Sequence, residues 1–406
     1  AFQTELIVAG GLVLSGLALS LRARRRGHAQ PECVLVAGVG GVTGIGGVTF
    51  TGTGCSAGTP VPRCVARPSK DNCRACMPAL KNGPDDPNFR GNVSMLIRFE
   101  TAEQRVVNIQ IDMGKYFRDS ALLRVYARLG ISELDAVVLT HDHADATLGL
   151  DDLRMLQPWD RVTRTSSRSI SVFCDSRTMR TLRKAFPYLF PKPPFGGAPL
   201  VCCECGVEPE AEPEPAPAPA AAAASTAAAA PAVAAPAAAK PPEVKRFVAT
   251  VDWRRFPEDT STFDVCGLRM RALPVLHGED YTCFGFAFGG PGARVVYISD
   301  YTALLPATEA LLDSWAGGIE LMVLDALCVD APRPTHASLR QSIDLVRRYR
   351  PRRALIVGML CEMEHHATNA MLRERLAAEG LDVQLAFDGQ YVPLRALVRP
   401  QLARPN

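Results

Sequence analysis

The sequence predicts an α/β fold of layered sheets and helices, on three observations. Short apolar runs recur and several end in a chemically capable residue. Helical periodicity fills the segments between them, and one long stretch of Pro, Ala and Glu interrupts the pattern. The runs are RVVNIQID ending at Asp112, LDAVVLTHDH leading into His141, LRMRALPVLH ending at His277, RVVYISD at Asp300, IELMVLD at Asp325 and RALIVGMLC at Cys361. Apolar runs of this length read as buried strands, and strands lying together in a sheet bring such ends to one edge.

Four segments carry helical periodicity: DSALLRVYARLG, DSRTMRTLRKAF, HASLRQSIDLVRRYR and HATNAMLRERLAAEG, with Gly130 and Gly380 as helix stops. Residues 204–246 form an insert whose stretch 208–244 is almost wholly Pro, Ala and Glu. Its prolines remove donors and its small side chains bury little, so it is expected to be disordered and is left out of the fold. The glycine-rich VAGVGGVTGIGG, residues 36–47, has neither the GxGxxG spacing nor a P-loop lysine, and reads as a flexible lead into the first strand.

With 406 residues, 47% of them hydrophobic, the chain can bury a substantial core. The formal charge of +3 gives no general attraction to nucleic acid or anionic membrane. Near the start, the apolar run Leu6–Leu21 precedes Arg22, Arg24, Arg25 and Arg26. Positive charge after such a run predicts a membrane anchor or a removable organelle-targeting segment within residues 1–30, with the body on the cytosolic or stromal side.

The site chemistry starts at THDHAD. His141 and His143, two apart just after a strand, can reach one ion from a loop, and Asp145 can reach a neighbouring ion; imidazole with carboxylate suits zinc, manganese or iron. Thirteen cysteines in so long a chain do not suggest a disulfide framework. Cys73 and Cys76 form a CxxC with Cys64 nearby, which suits structural zinc, with a redox pair as the alternative; Cys202, Cys203 and Cys205 are given no role.

LTHDHAD resembles the HxHxDH metal motif of the metallo-β-lactamase superfamily. IDMG before it, and LPVLHG, YISD and LDAL after it, agree in order. GTGCSAGTP and the cysteines that follow it are similar to the opening of the group containing the phosphoribosyl cyclic phosphate phosphodiesterase and its plant and fungal relatives. The resemblance covers about residues 48–395 apart from the insert. It implies one αββα sandwich whose halves are residues 48–203 and 247–395.

Position by position, the resemblance implies a first metal on His141, His143 and His277, with Asp300 bridging to a second held by Asp145. Ala146 stands where the family has a histidine. The last ligand falls within GMLCEMEHH, where Cys361 is the expected residue and Met359 the weaker alternative. One zinc or manganese ion, or a pair with a weak second member, is therefore expected. The resemblance also implies structural zinc on Cys64, Cys73, Cys76 and His365, with His366 next to it, and His336 as the catalytic proton donor. Asp112 and Asp325 are expected to orient ligating histidines. Asp151, Asp152 and Arg154 are expected on a helix surface, Arg154 in a salt bridge or near substrate phosphate.

The implied activity is metal-dependent hydrolysis of a small cyclic or nucleotide-like phosphate ester, with metal-bound hydroxide as nucleophile. The alternatives are tRNA 3′-end processing, a lactam or thioester hydrolase, and a non-catalytic zinc-stabilised scaffold. Nucleic acid is the less favoured substrate because no long basic arm is evident, and the fold is compatible with a homodimer.

Overall fold

The structure is a computed structural model that describes residues 46–66, 73–101, 103–163, 165–191, 247–330 and 333–394. All of these fall within the compact unit Thr43–Asn406. Two sheets form its centre. The first runs, in spatial order, Tyr391–Leu394, Gly46–Gly52, Ser94–Glu100, Val106–Ile111, Ala136–Val138, Ile170–Cys174 and Val251–Arg255. The second runs Ala303–Leu304, Leu268–Leu276, Thr282–Phe288, Arg294–Ile298, Ile319–Asp325, Arg353–Val357 and Val383–Leu385, with Thr262–Val265 paired beside Leu268–Leu276. The chain closes the sandwich by returning Tyr391–Leu394 to pair antiparallel with Gly46–Gly52 in the first sheet.

The apolar runs are continuous because both faces of these strands are covered. Side chains alternate across a strand. Met95, Ile97 and Phe99 accordingly meet Phe286, Tyr297, Leu321 and Val323 between the sheets, while Leu96 points to the outer helical layer. Leu355 and Val357 face inward in the same way, and Ala354 and Ile356 outward. Each fully buried aliphatic side chain adds roughly 1.5–3 kcal/mol. The helices Ser176–Ala185, Leu339–Tyr349 and His365–Leu376 line the outer faces. The result is the α/β sandwich with helices outside both sheets.

The expected helices form with readable ends. Asp175 accepts from the amides of Arg177 and Thr178, Ser338 and Gln341 make a capping box, and Glu364 accepts from His366 and Ala367. DSALLRVYARLG departs in detail: Arg118–Tyr126 is π-helical, and only Ala127–Leu129 is α-helical before Gly130. The parallel neighbours Ile170–Cys174 and Val251–Arg255 flank the insert, which lies outside the described residues together with residues 36–45 of the glycine-rich stretch.

One expectation is corrected. Among the described residues no helix is long and apolar enough to cross a membrane. The anchor expected at Leu6–Leu21, the membrane partner and the anchored location are therefore not retained; that run itself lies outside the described residues.

Candidate metal centre and its surroundings

The strand ends meet as their sequence suggests. His141 and His143 follow Ala136–Val138 of the first sheet, while His277 follows Leu268–Leu276 and Asp300 follows Arg294–Ile298 of the second. Ligand-type atoms of His141, His143 and His277 lie within 4.8 Å of one another, as do those of His277, Asp300 and His336. His143 Nδ1 and His277 Nε2 are 3.3 Å apart, and Asp300 Oδ2 is 3.6 Å from both His141 Nε2 and His277 Nε2.

Hydrogen bonds behind the rings decide which nitrogens are free. The Thr140 hydroxyl donates to Asp112 Oδ2 at 2.8 Å, so it accepts from His141 Nδ1 at 2.8 Å. His141 Nε2 is left bare, and it is buried without a partner. His277 Nδ1 donates to the Thr335 carbonyl at 2.5 Å, leaving Nε2 as a lone pair facing the other ligands. Burial holds the pKa of His141 down to about 3 and also lowers that of His277, against the opposing pull of Asp300, so both rings are neutral.

These atoms fit a divalent ion. Ligands about 2.1 Å from a tetrahedral ion stand roughly 3.4 Å from one another, close to the observed 3.3 and 3.6 Å. Converging lone pairs and a carboxylate, with a buried nitrogen otherwise orphaned, form a site that a cation relieves.

Asp112 acts one step further back than expected. It leaves its strand in the left-handed region (φ 57°) and binds both the amide and the hydroxyl of Thr140, which in turn holds His141. Asp325 orients His336, its Oδ2 accepting from His336 Nδ1 at 2.8 Å. His336 is not the cap of the following helix, a role taken by Ser338. Asp145 belongs to neither group of convergent ligand atoms among the described residues. Asp151 pairs with Arg154 at 2.6 Å and accepts from the Tyr188 hydroxyl, and Asp152 lies 3.7 Å from Arg118; neither carboxylate joins a convergent group of ligand atoms.

Cys361 is the clearest correction. It lies with Cys64, Cys73 and Cys76, whose sulfurs converge within 4.8 Å, and not beside the histidines. The reason is the turn after Arg353–Val357. Gly358 takes φ 75°, and Met359 then runs beside the opening loop, its amide on Thr53 O at 3.3 Å and its carbonyl on the Cys55 amide at 3.4 Å. That course delivers Cys361 to Cys64, with the two sulfurs 3.8 Å apart. His365 stays outside the cysteine group, its Nε2 on the Asn369 amide at 3.1 Å, and His366 is exposed. Buried Arg90 fastens the cysteine-bearing loop by donating to Leu360 O at 3.1 Å and Met363 O at 2.7 Å.

Sequence reasoning missed a polar rim beside His143. Tyr281 stacks on His143 with centroids 5.0 Å apart and donates to Asp142, which also accepts from the Thr181 hydroxyl at 2.6 Å. The Arg177 guanidinium lies 3.8 Å from the Tyr281 ring centroid. Tyr281 stands four residues after His277, and that proximity was the available signal; nothing in the sequence pointed to Arg177.

Residues 107–212 and 214–359, more than half of the chain, match the beta-lactamase superfamily domain. The chain belongs to the beta-lactamase superfamily. Together with the histidine group, membership makes it a metal-dependent hydrolase of that superfamily. Its fold is similar to that of a diphosphatase from the PhnP family, with 21% identity, a TM-score of 0.57, and coverage of 87% of this chain and 100% of that one. It is also similar to zinc-bound PqqB from Methylobacterium extorquens, with 13% identity, a TM-score of 0.54, and coverage of 85% and 99%. A stretch of 159 residues is 33% identical to an octanoyltransferase of Porphyromonas gingivalis; it is 39% of this chain and 26% of that protein, so the chain spans about a quarter of that relative.

Proposed function

We propose that this superfamily member is a phosphodiesterase acting on a small cyclic or nucleotide-like phosphate ester, with His336 as proton donor to the leaving alkoxide. The observation that carries the reading is the His336–Asp325 pair beside Asp300 and His277. A divalent ion held by His141, His143, His277 and Asp300 would acidify water and withdraw charge from a phosphoryl oxygen. The chain's own contribution is orientation and a proton. Asp325, fully buried, fixes the His336 ring through Nδ1 and leaves Nε2 for the substrate. Burial pulls the His336 pKa down, but the hydrogen bond and charge of Asp325 outweigh it and raise it, which favours a ring that can deliver a proton. Arg177, half exposed above Tyr281, stands at the rim with its Nε 3.9 Å from Asp142, and its remaining donors could meet an anionic substrate.

The cysteine group supports a separate, structural zinc. Sulfurs about 2.3 Å from a tetrahedral zinc stand roughly 3.8 Å apart, and Cys64 and Cys361 are 3.8 Å apart. The Val61 amide donates to Cys76 Sγ at 3.2 Å and the Cys76 amide to Cys73 Sγ at 3.4 Å, contacts that favour thiolates. Burial pushes Cys76 up to about 12 and also raises Cys361, so without a cation these two remain thiols.

The test is turnover of bis-p-nitrophenyl phosphate and of cyclic nucleotides by protein of measured metal content. Hydrolysis that falls about 10²–10⁴-fold in kcat in His336→Asn, with metal content unchanged, supports the assignment. Fully loaded protein that turns over no phosphodiester overturns it.

A further inference from the structure

We infer that the histidine centre is built for one ion, and that the residues around it do not complete the second site that the family resemblance implies. The inference rests on the metal reading of the site and not on the choice of phosphodiesters as substrates.

The residues that could hold a second ion can be followed one by one. Ala146 has only a methyl group. Its backbone is fixed, the amide donating to His143 O at 3.1 Å and the carbonyl accepting from Met113 at 2.7 Å. In the loop expected to supply the last ligand, Gly358 has no side chain, Met359 is fully buried and Cys361 is committed to the cysteine group. Glu362 accepts from the Val329 amide at 3.0 Å and Glu364 caps the next helix. His365 and His366 belong to that helix and join neither group of convergent histidines. Asp145 remains, with Asp300 to share and with His336, whose Nδ1 is taken by Asp325; Asp145 joins no convergent group of ligand atoms, and without the histidine at 146 and a last strand-end ligand this set is short for an ion that takes four or more ligands.

The strand end at Gly358 is also closed to a side chain. A Cβ at Gly358 would stand 1.7 Å from Asp325 Oδ1, so the carboxylate takes the space that a ligating side chain at that strand end needs. The backbone there is left-handed at φ 75°, which also disfavours a side chain. Asp325 in turn holds His336, and His336 shares a convergent group with Asp300 and His277. Asp300, the residue that would join two ions, thus has His141 and His277 each 3.6 Å from its Oδ2 and the His336 imidazole, anchored on Asp325, beside it.

The experiment counts metal directly. Wild type, His141→Ala/His277→Ala and Asp145→Asn, each checked for folding by circular dichroism, are equilibrated with zinc, desalted and measured by inductively coupled plasma mass spectrometry. The double variant is expected to hold one ion per chain fewer than wild type, and Asp145→Asn the same number as wild type. Loss of two ions or none in the double variant, or of one in Asp145→Asn, overturns the inference. Should the double variant not fold, cobalt(II) titration of wild type and Asp145→Asn decides it. The bands of nitrogen- and oxygen-bound cobalt saturate at one equivalent in both proteins if the inference holds, and at two in wild type if it does not. None of these readouts depends on turnover, so they stand apart from a failure of the phosphodiesterase proposal.

Discussion

The histidine group and the cysteine group each gather several ligand-type side chains, but by opposite means. The histidines and Asp300 sit at the ends of strands from both sheets, directly above the inter-sheet core, and His141 and His277 are each held from behind by a hydrogen bond. The cysteines come from the short helix Pro62–Ala66, the start of Cys76–Asn82 and a loop, and none of the four belongs to the three apolar clusters. The first frame is rigid before any ion arrives, so an ion there adds chemistry. The second has little apolar packing of its own, so an ion there adds structure.

Substitutions on the two sides should therefore fail differently. The largest effect is expected from Asp300→Ala, which should cut hydrolysis by about 10³-fold or more, several kcal/mol of barrier, with little change in melting temperature. An unaltered rate would remove Asp300 from the site. Cys361→Ser should do the reverse, losing zinc from the cysteine group and roughly 2–4 kcal/mol of stability; wild-type melting and full metal content would return the cysteines to a redox role.

The last test concerns a group whose effect appears only at acid pH. Burial, with the nearby charge of Arg90, holds His365 down to about 4 from 6.5. The folded state therefore disfavours the proton. This contribution is complete above pH 6.5 and is lost as pH falls towards 4, in all about 3 kcal/mol. His365→Gln should flatten the decline in denaturant-measured stability over that window. An unchanged slope would show that His365 does not set the decline.

Much of the site was legible because strand ends announce themselves. A short apolar run stopping at His277, Asp300 or Asp325 carries both the element and its functional residue, and burial on both faces makes such runs conspicuous. Ala146 was equally plain. What the sequence hid depends on backbone direction after a strand. Nothing in GMLCEMEHH tells that Gly358 turns left-handed and sends Cys361 to Cys64, and that turn separates the two clusters. Thr140, Tyr281 and Arg177 were hidden for another reason: they act through contacts between elements distant in sequence, without a motif of their own.

The stretch Gly358–Cys361 has one more consequence. Within four residues the chain passes the carboxylate that holds His336 and then reaches the sulfur group, pinned to Thr53 and Cys55 on the way. There is no slack in such a span, so a single added residue would pull one cluster out of register with the other. The same chain admits an insert of more than forty residues between Ile170–Cys174 and Val251–Arg255 without interrupting the pairing of those strands. Tolerance to length in this protein is thus a local property, set by how closely successive residues are tied to different partners.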